Sequence, residues 1–422
     1  MSEIAMPDSV AHTVMERCDL LATCSEEAGC VTRRFATPPM HQVHELFANW
    51  MRTAGMTVQI DAVGNLIGRY ESNRAGAQTL LLGSHLDTVR NAGKYDGLLG
   101  VLVALACLER LYARGERLPF AIELLGFAEE EGLRYQSVYI GSKAITGTFD
   151  VQALALRDED GIAMVDALRA FGGNPDPALL RSPRWSPEEL LGYCEVHIEQ
   201  GPVLEAKQLP LAVVTGIVGQ QRILVTFKGE AGHAGTLPMK QRHDALCAAA
   251  EFVLAAEMLG QRESGLVATV GQLQVQPGAS NVIPGEVTLS LDIRHEDDTK
   301  RDLYADQLRE RVDRICRERG ITLAWQPVQR SPTVSCAPSL IKRWRQALLE
   351  EKYPVFMLPS GAGHDAVTMS TLTDIAMLFV RCKGGISHHP AESVLEEDVA
   401  AAIVALERFL KLTAKEVEDE RI

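Results

Sequence analysis

Four short stretches of this chain carry histidines, carboxylates or both, and each follows a strand-like run. The first is Gly83-Ser84-His85-Leu86-Asp87, with Asp96-Gly97 a few residues on. Side chains alternate along a strand, so His85 and Asp87 would share a face. An imidazole that binds a metal through one nitrogen commonly gives its other N–H to a carboxylate, which fixes its tautomer. His85 as a ligand oriented by Asp87 is therefore one reading. A hydrogen-bonded structural histidine beside a helix-capping aspartate is the other, and it is slightly favoured when this segment is taken alone. The second stretch is Glu129-Glu130-Glu131-Gly132. Three adjacent carboxylates repel one another, and their ordinary home is a solvated loop. Directly behind Leu124-Leu125-Gly126-Phe127-Ala128, a nearby cation would relieve that repulsion. One glutamate on a metal beside one free to act as a base would match metal-assisted hydrolysis.

The third stretch is His197-Ile198-Glu199-Gln200-Gly201-Pro202, and the fourth is Gly384-Gly385-Ile386-Ser387-His388-His389-Pro390-Ala391-Glu392. Each alone is weak, because a lone histidine near a strand end is more often structural. Four such clusters, each following a strand-like run, are hard to explain by packing. Histidines and carboxylates without cysteine suit zinc, manganese or similar divalent ions. Spacing does not separate one cation from two. A further set carries Gly232-His233-Ala234-Gly235, the turn Ser280-Asn281-Val282-Ile283-Pro284-Gly285, and Asp292-Ile293-Arg294. On sequence alone, Arg294 is best read as a salt bridge to Asp292 or Asp297, and His233 as a surface-loop histidine.

These residues need elements to hold them. Thr79 to Gly83 and Ala121 to Ala128 read as buried strands, with Leu98 to Tyr112 apolar on a helical period between them. Tyr193 to Val196 and Ile375 to Val380 add further strands. This alternation predicts an α/β domain with a mixed, mostly parallel sheet, in which ligands gather beyond the carboxyl ends of the strands. The pattern changes near residue 212. Strand-like runs at 211–219, 221–229, 265–275, 285–294 and 321–327 alternate with helical stretches at 243–259 and 297–319. They read as an inserted α+β sandwich of about a hundred residues. The expected organisation is a discontinuous catalytic domain, 1–213 and 329–422, interrupted by an insert at 214–328.

Composition narrows the partners. The 422 residues hold 42 Lys+Arg against 56 Asp+Glu, a net charge of −14, which disfavours nucleic acid and anionic membranes. No apolar run reaches the roughly 20 residues needed to span a bilayer. The opening MSEIAMPDSV has neither a basic nor an apolar leader segment. Nine scattered cysteines without a CxxC pair predict reduced thiols in a cytoplasmic protein.

The motifs GSHLDTV, YDG, EEEGLRY, HIEQGP, GHAGTLPM, SNVIPG, DIR, SGAGHDA and SHHPAE span residues 83 to 392. In that order they resemble the amidohydrolase branch of the M20 metallopeptidase-like family, which contains allantoate amidohydrolases, N-carbamoyl-L-amino-acid hydrolases and β-ureidopropionases. The resemblance implies two divalent metal ions per subunit, zinc or manganese. It implies that His85 and His197 bind one and the other, that Asp96 bridges them, and that Glu131 and His388 complete the pair. His388 is preferred to His389 because the family pattern reads Ser-His-x-Pro-x-Glu. Glu130 matches the general base and Asp87 the orienting acid, with Glu129 an extra. His233 matches a histidine that polarises the scissile carbonyl, often across a homodimer built through the insert. Gln220, Asn281 and Arg294 match contacts to a substrate carboxylate, with Gly363 and His364 as further donors. The implied activity is hydrolysis of a ureido C–N bond in a small anionic acid. Allantoate is the first choice, yielding ureidoglycine, ammonia and carbon dioxide, as in purine catabolism. N-carbamoyl-L-amino acids or β-ureidopropionate are the alternative, and an M20 di- or aminopeptidase is a more distant one. The insert would act as a lid, hinged near residues 211–216 and 327–333.

Overall fold

A computed structural model describes residues 7–419, so part of the segment read as leader-free lies outside the described residues. The chain forms two compact units, Met1–Thr215 with Ser335–Ile422, and Gly216–Val334. In chain order the first unit builds β1 (Thr57–Ile60), β2 (Leu66–Tyr70), β3 (Thr79–His85), β4 (Ala121–Phe127), β5 (Leu190–Ile198) and β6 (Leu211–Ile217). The second unit follows with β7 (Gly219–Lys228), β8 (Gly232–His233), β9 (Val267–Gln276), β10 (Val282–Ile283), β11 (Glu286–His295) and β12 (Thr322–Ser331). The chain then returns through β13 (Val334–Ser335), β14 (Met357–Ser360) and β15 (Ile375–Val380).

The large sheet runs β1-β2-β4-β3-β5-β15-β6-β13, with β14 on β6. Its centre is parallel: β3 pairs with β4 and β5, and β5 with β15. The flanks are antiparallel, since β1 and β2 form a hairpin, β2 runs against β4 and β6 runs against β15. Every residue of β3, β4 and β15 is buried. That is why these strands read as mainly apolar runs rather than alternating ones: helices cover both faces of a parallel sheet, and the one acid within them, Glu123 of β4, is paired with Arg69 and Arg184. The helix Leu98–Ala113 packs on β3, β4 and β5. It comes so close that a Cβ at Gly100 would lie 1.9 Å from the Val196 carbonyl oxygen, a contact only glycine permits.

Within the second unit the sheet order is β12-β7-β11-β9, antiparallel throughout. Side chains of β11 alternate strictly between half-buried and buried. Val287, Leu289, Leu291 and Ile293 form the inner row and share a core with Phe252 of the helix Ala245–Arg262 and Val312 of the helix Asp298–Arg319. The sequence ends the last strand at Pro327, but β12 continues to Ser331. It is an edge strand, and its register shifts between Pro327 and Gln329, so the missing N–H is absorbed by an irregularity. The segment read as a plain turn at Ser280–Gly285 contains β10, which pairs with β8 so that Val282 faces His233. No helix among the described residues is long and apolar enough to cross a membrane.

Candidate metal centre

The parallel strands deliver the polar clusters to one edge. His85 is the last residue of β3, opposite Phe127 at the end of β4, which leads directly into Glu129–Glu131. His197 sits near the end of β5 opposite Phe379 of β15, whose following loop carries His388. Asp96 lies just ahead of the helix Leu98–Ala113. Gly97 between them has φ +66°, and a Cβ there would stand 2.5 Å from the His85 ring.

Asp96 joins two groups of donors. Its Oδ1 lies 3.3 Å from His197 Nε2 and 3.7 Å from His85 Nε2. Its Oδ2 lies 3.2 Å from His388 Nε2, which is 3.4 Å from Glu131 Oε1. The sets His85/Asp96/His197 and Asp96/Glu131/His388 each keep their donor atoms within 4.8 Å of one another. Both imidazoles thus approach the same oxygen of Asp96, so His85 and His197 fall in one candidate donor set. The cause is that β3 and β5 are neighbours in the sheet. His389 is turned elsewhere, its Nδ1 accepting from the Ala391 N–H at 3.1 Å.

A cation fits these residues. His85 Nδ1 is 3.0 Å from the Asp87 carbonyl and His197 Nδ1 is 2.9 Å from the Ile198 carbonyl. Donation to those carbonyls leaves Nε2 of both rings near Asp96 Oδ1, and burial keeps the His197 ring neutral, so its Nε2 presents a lone pair there. Lone pairs facing a carboxylate repel unless something positive lies between them. His197 Nε2 and Asp96 Oδ1 are indeed buried without a hydrogen-bond partner. Buried polar atoms are rarely left so, and a divalent ion would satisfy both. The all-nitrogen and oxygen donor set suits zinc or manganese.

The acidic turn is organised by Asp87. Its carboxylate accepts the Glu130 N–H at 3.0 Å and the Glu131 N–H at 3.1 Å. Asp87 therefore orients His85 chiefly through its own carbonyl, with its carboxylate 3.5 Å from His85 Nδ1. Burial, followed by the Glu131 charge, pushes the Glu130 carboxyl well above its usual range. Burial and then Asp96 lift Glu131 to about 7. The Asp96 hydrogen bond raises His388 to about 9, while burial lowers His197 to about 4. Glu129 is fully buried and belongs to none of the donor sets.

Sequence reasoning passed over the residues that hold Asp96. Glu392 accepts the Tyr95 and Asp96 N–H groups at 2.8 and 3.1 Å, and Ser387 Oγ lies 2.9 Å from it and 3.1 Å from Asp96 Oδ2. Gln200 Nε2 donates to Asp96 Oδ2 at 3.0 Å. Gln200 and His388 both hold positive φ, 55° and 54°, a conformation non-glycine residues adopt mainly where the surroundings enforce it. All three residues lie inside the motifs HIEQGP and SHHPAE, which was the available signal.

The remaining expected residues fall into separate places. Arg294 and Gln220 are directly opposed on β11 and β7. Arg294 Nε and Nη2 donate to the two oxygens of Asp292 at 2.9 and 3.0 Å, so the salt bridge read from sequence exists. His233 is exposed, and its Nδ1 accepts the Gly235 N–H at 3.1 Å, which leaves Nε2 as the ring's donor. The Asn281 carbonyl accepts the Ala234 N–H, so Asn281 and His233 flank one short ladder. His364 is 1 % exposed, bonded through Nε2 to Ser360 Oγ at 2.8 Å, with its ring 4.4 Å from that of His197. Its side chain is thus engaged inward. Gly363 lies against Tyr139, whose hydroxyl would be 2.0 Å from a Cβ.

Comparison with known proteins agrees with this architecture. The profile of peptidase family M20/M25/M40 matches residues 81–412. Allantoate deiminase of Arabidopsis thaliana is 39% identical, over 93% of this chain and 80% of the relative. N-carbamoyl-L-amino acid amidohydrolase of Geobacillus stearothermophilus is 39% identical, over 90% of this chain and 93% of the relative. The crystal structure of a hydantoinase/carbamoylase family amidase from Burkholderia multivorans superposes with a TM-score of 0.89 at 32% identity, covering 95% of this chain and 97% of that one. The chain belongs to the M20 family, in its amidohydrolase branch, and is a hydrolase of carbon–nitrogen bonds other than peptide bonds.

Proposed function

We propose that the chain hydrolyses the ureido C–N bond of allantoate, giving ureidoglycine, ammonia and carbon dioxide, with two divalent ions held by His85, Asp96, His197, Glu131 and His388. The observation that carries the metal reading is the pair of buried, unpartnered atoms, Asp96 Oδ1 and His197 Nε2. When bound, such ions polarise a carbonyl and make water easier to deprotonate. Glu130 takes the proton from the attacking water and returns it to the leaving nitrogen, a task suited to a carboxyl raised by burial. His233 Nε2–H stabilises the developing oxyanion, a contribution of about 3 kcal/mol for a well-placed donor. Arg294, with Gln220 and Asn281, receives the substrate carboxylate; its planar fork suits that group better than an ammonium would. Asp292 already occupies that fork, so substrate binding must share or displace it.

Allantoate is favoured by overall likeness to allantoate deiminases, and N-carbamoyl-L-amino acids are the second reading, because a carbamoylase matches at the same 39% identity. A homodimer through the second unit is proposed as well. β9 is an edge strand exposed along much of its length, and Leu254, Met258 and Leu303 on the neighbouring helices are exposed apolar residues. Nine free cysteines fit a reducing cytoplasm. The test is ammonia release by Mn²⁺- or Zn²⁺-loaded protein on allantoate, N-carbamoyl-L-amino acids, β-ureidopropionate and dipeptides. Allantoate should give the highest kcat/KM. Turnover of N-carbamoyl amino acids alone rejects the first choice, and dipeptide turnover above ureido acids rejects the class.

A further inference from the structure

Arg33 is a fully buried cation, 1 % exposed, that belongs to neither the donor sets nor the substrate contacts above. It lies ahead of residues 81–412, outside the stretch the family profile covers. Burial lowers its pKa to about 10, so it remains charged at neutral pH. Its Nε donates to the Leu86 carbonyl at 2.8 Å. Its Nη1 donates to the carbonyls of Leu21 and Cys24 at 3.0 and 3.1 Å, at the end of the helix Pro7–Ala22. Its backbone is tied to the same turn, because the Arg33 N–H donates to Thr88 Oγ1 at 2.9 Å and the Thr88 N–H to the Arg33 carbonyl at 3.1 Å.

These bonds clamp both neighbours of Asp87. The Leu86 N–H is held by the Phe127 carbonyl at 3.0 Å, so the Leu86 residue is pinned on one side by β4 and on the other by Arg33. Between Leu86 and Thr88, Asp87 offers its carbonyl to His85 Nδ1 and its carboxylate to the Glu130 and Glu131 N–H groups. We propose that Arg33 is a positioning residue for the hydrolytic centre: it fixes the Leu86–Thr88 turn so that Asp87 sets the His85 ring and the Glu130–Glu131 turn together. The N-terminal segment is then a working part of the site. A planar guanidinium reaches carbonyls in two directions at once, whereas a lysine ammonium on its flexible stem does not fix that geometry.

The inference rests on the two-cation reading of the site, and its test reads metal as well as turnover. Arg33→Lys is compared with wild type by near-UV circular dichroism, Mn²⁺ calorimetry, visible absorption of the Co²⁺-loaded protein, and kcat and KM on allantoate. The expected result is a folded protein with Mn²⁺ affinity weakened tenfold or more and a changed cobalt spectrum. Its kcat at saturating Mn²⁺ should fall at least tenfold, with KM within threefold. A role confined to capping the helix would lower thermal stability and leave affinity and spectrum unmoved. Folded Arg33→Lys with Mn²⁺ affinity within twofold of wild type and an unchanged spectrum overturns the proposal. Should Arg33→Lys not fold, Thr88→Val removes one clamp without touching the charge, and wild-type metal affinity in that variant overturns it equally. Wild-type protein that binds Mn²⁺ but leaves allantoate untouched rejects the substrate reading alone, since the metal measurements still decide the role of Arg33.

Discussion

Replacing Glu130 by glutamine separates a base from a ligand. The substitution keeps the side chain's shape and removes its ability to accept a proton. Glu130 is buried, and Glu131, Asp365 and Asp87 all act to raise its pKa, so the charged form is the one the site disfavours. Two consequences follow with opposite signs. Losing general-base catalysis should lower kcat by about 10²- to 10⁴-fold, a barrier increase of about 3–5 kcal/mol. Losing an ionisable group from a crowd of buried acids should leave the melting temperature of metal-free protein unchanged or raise it. Metal content should stay at two ions per chain, because the sets built on Asp96 do not need Glu130. The assay is ammonia release at saturating metal, alongside elemental analysis and calorimetric melting. His85, Glu130 and Glu131 also lie close enough to form a donor set of their own. If Glu130→Gln loses an ion along with its activity, Glu130 is a ligand and the assignment of the base fails. If activity survives, no proton passes through this residue.

Stripping the cations with a chelator should lower the melting temperature, because ions at a hundredfold excess over their Kd stabilise by about 2.7 kcal/mol per site; an unchanged melt would contradict a structural metal pair. Gly97→Ala should impair metal binding in an otherwise folded protein, since its Cβ would meet the His85 ring at 2.5 Å on a backbone with φ +66°, and full metal content in that variant would show the ring can give way. Glu407 accepts from Arg110 Nε at 2.8 Å, Arg114 Nη2 at 2.9 Å and Lys411 Nζ at 2.9 Å. Burial would raise its pKa, but the hydrogen bonds from Arg110 and Lys411 and the Arg114 charge bring it to about 2. Its folded pKa is therefore below an unfolded value of about 4.3, so its stabilisation is present above that pH and is lost as pH falls toward 2. Glu407→Gln should cost about 2–3 kcal/mol at pH 7, with the deficit shrinking below about pH 4; calorimetry showing an equal deficit at pH 3 and pH 7 would remove the ion pair as its cause.

What the sequence made legible follows from burial. β3, β4 and β15 are buried on both faces, so each appears as a mainly apolar run, broken in β4 by Glu123, and the polar cluster beyond it is marked by contrast. The helix Pro7–Ala22 went unread although Ala11, Val14, Cys18 and Leu21 are buried at helical spacing, because polar residues fill the intervals. Arg33 could not be read at all. Its partners are main-chain carbonyls, two of them nearby at Leu21 and Cys24 and one distant at Leu86, and a carbonyl carries no residue identity. Asp87 was expected to orient His85 by its carboxylate; that carboxylate lies 3.5 Å from the ring while also accepting two N–H groups of the acidic turn, and the Asp87 carbonyl lies nearer, at 3.0 Å. The type of residue was visible; which of its atoms would act depended on the turn.

The same contrast explains why reaction class is easier to reach than substrate. His85 and His197 are held by the ends of buried strands and Asp96 by the start of the helix Leu98–Ala113, and Glu392, Ser387 and Gln200 restrict Asp96 further. Little freedom remains there, so residue type and spacing nearly determine the chemistry. His233 and Asn281 are exposed on a two-residue ladder, and Arg294 is already paired with Asp292. Their positions in a substrate complex depend on which acid enters and what it displaces. On the proposed assignment, exchanging one acid for another would call for changes around β8, β10 and β11, while His85, Asp96 and His197 stay as they are.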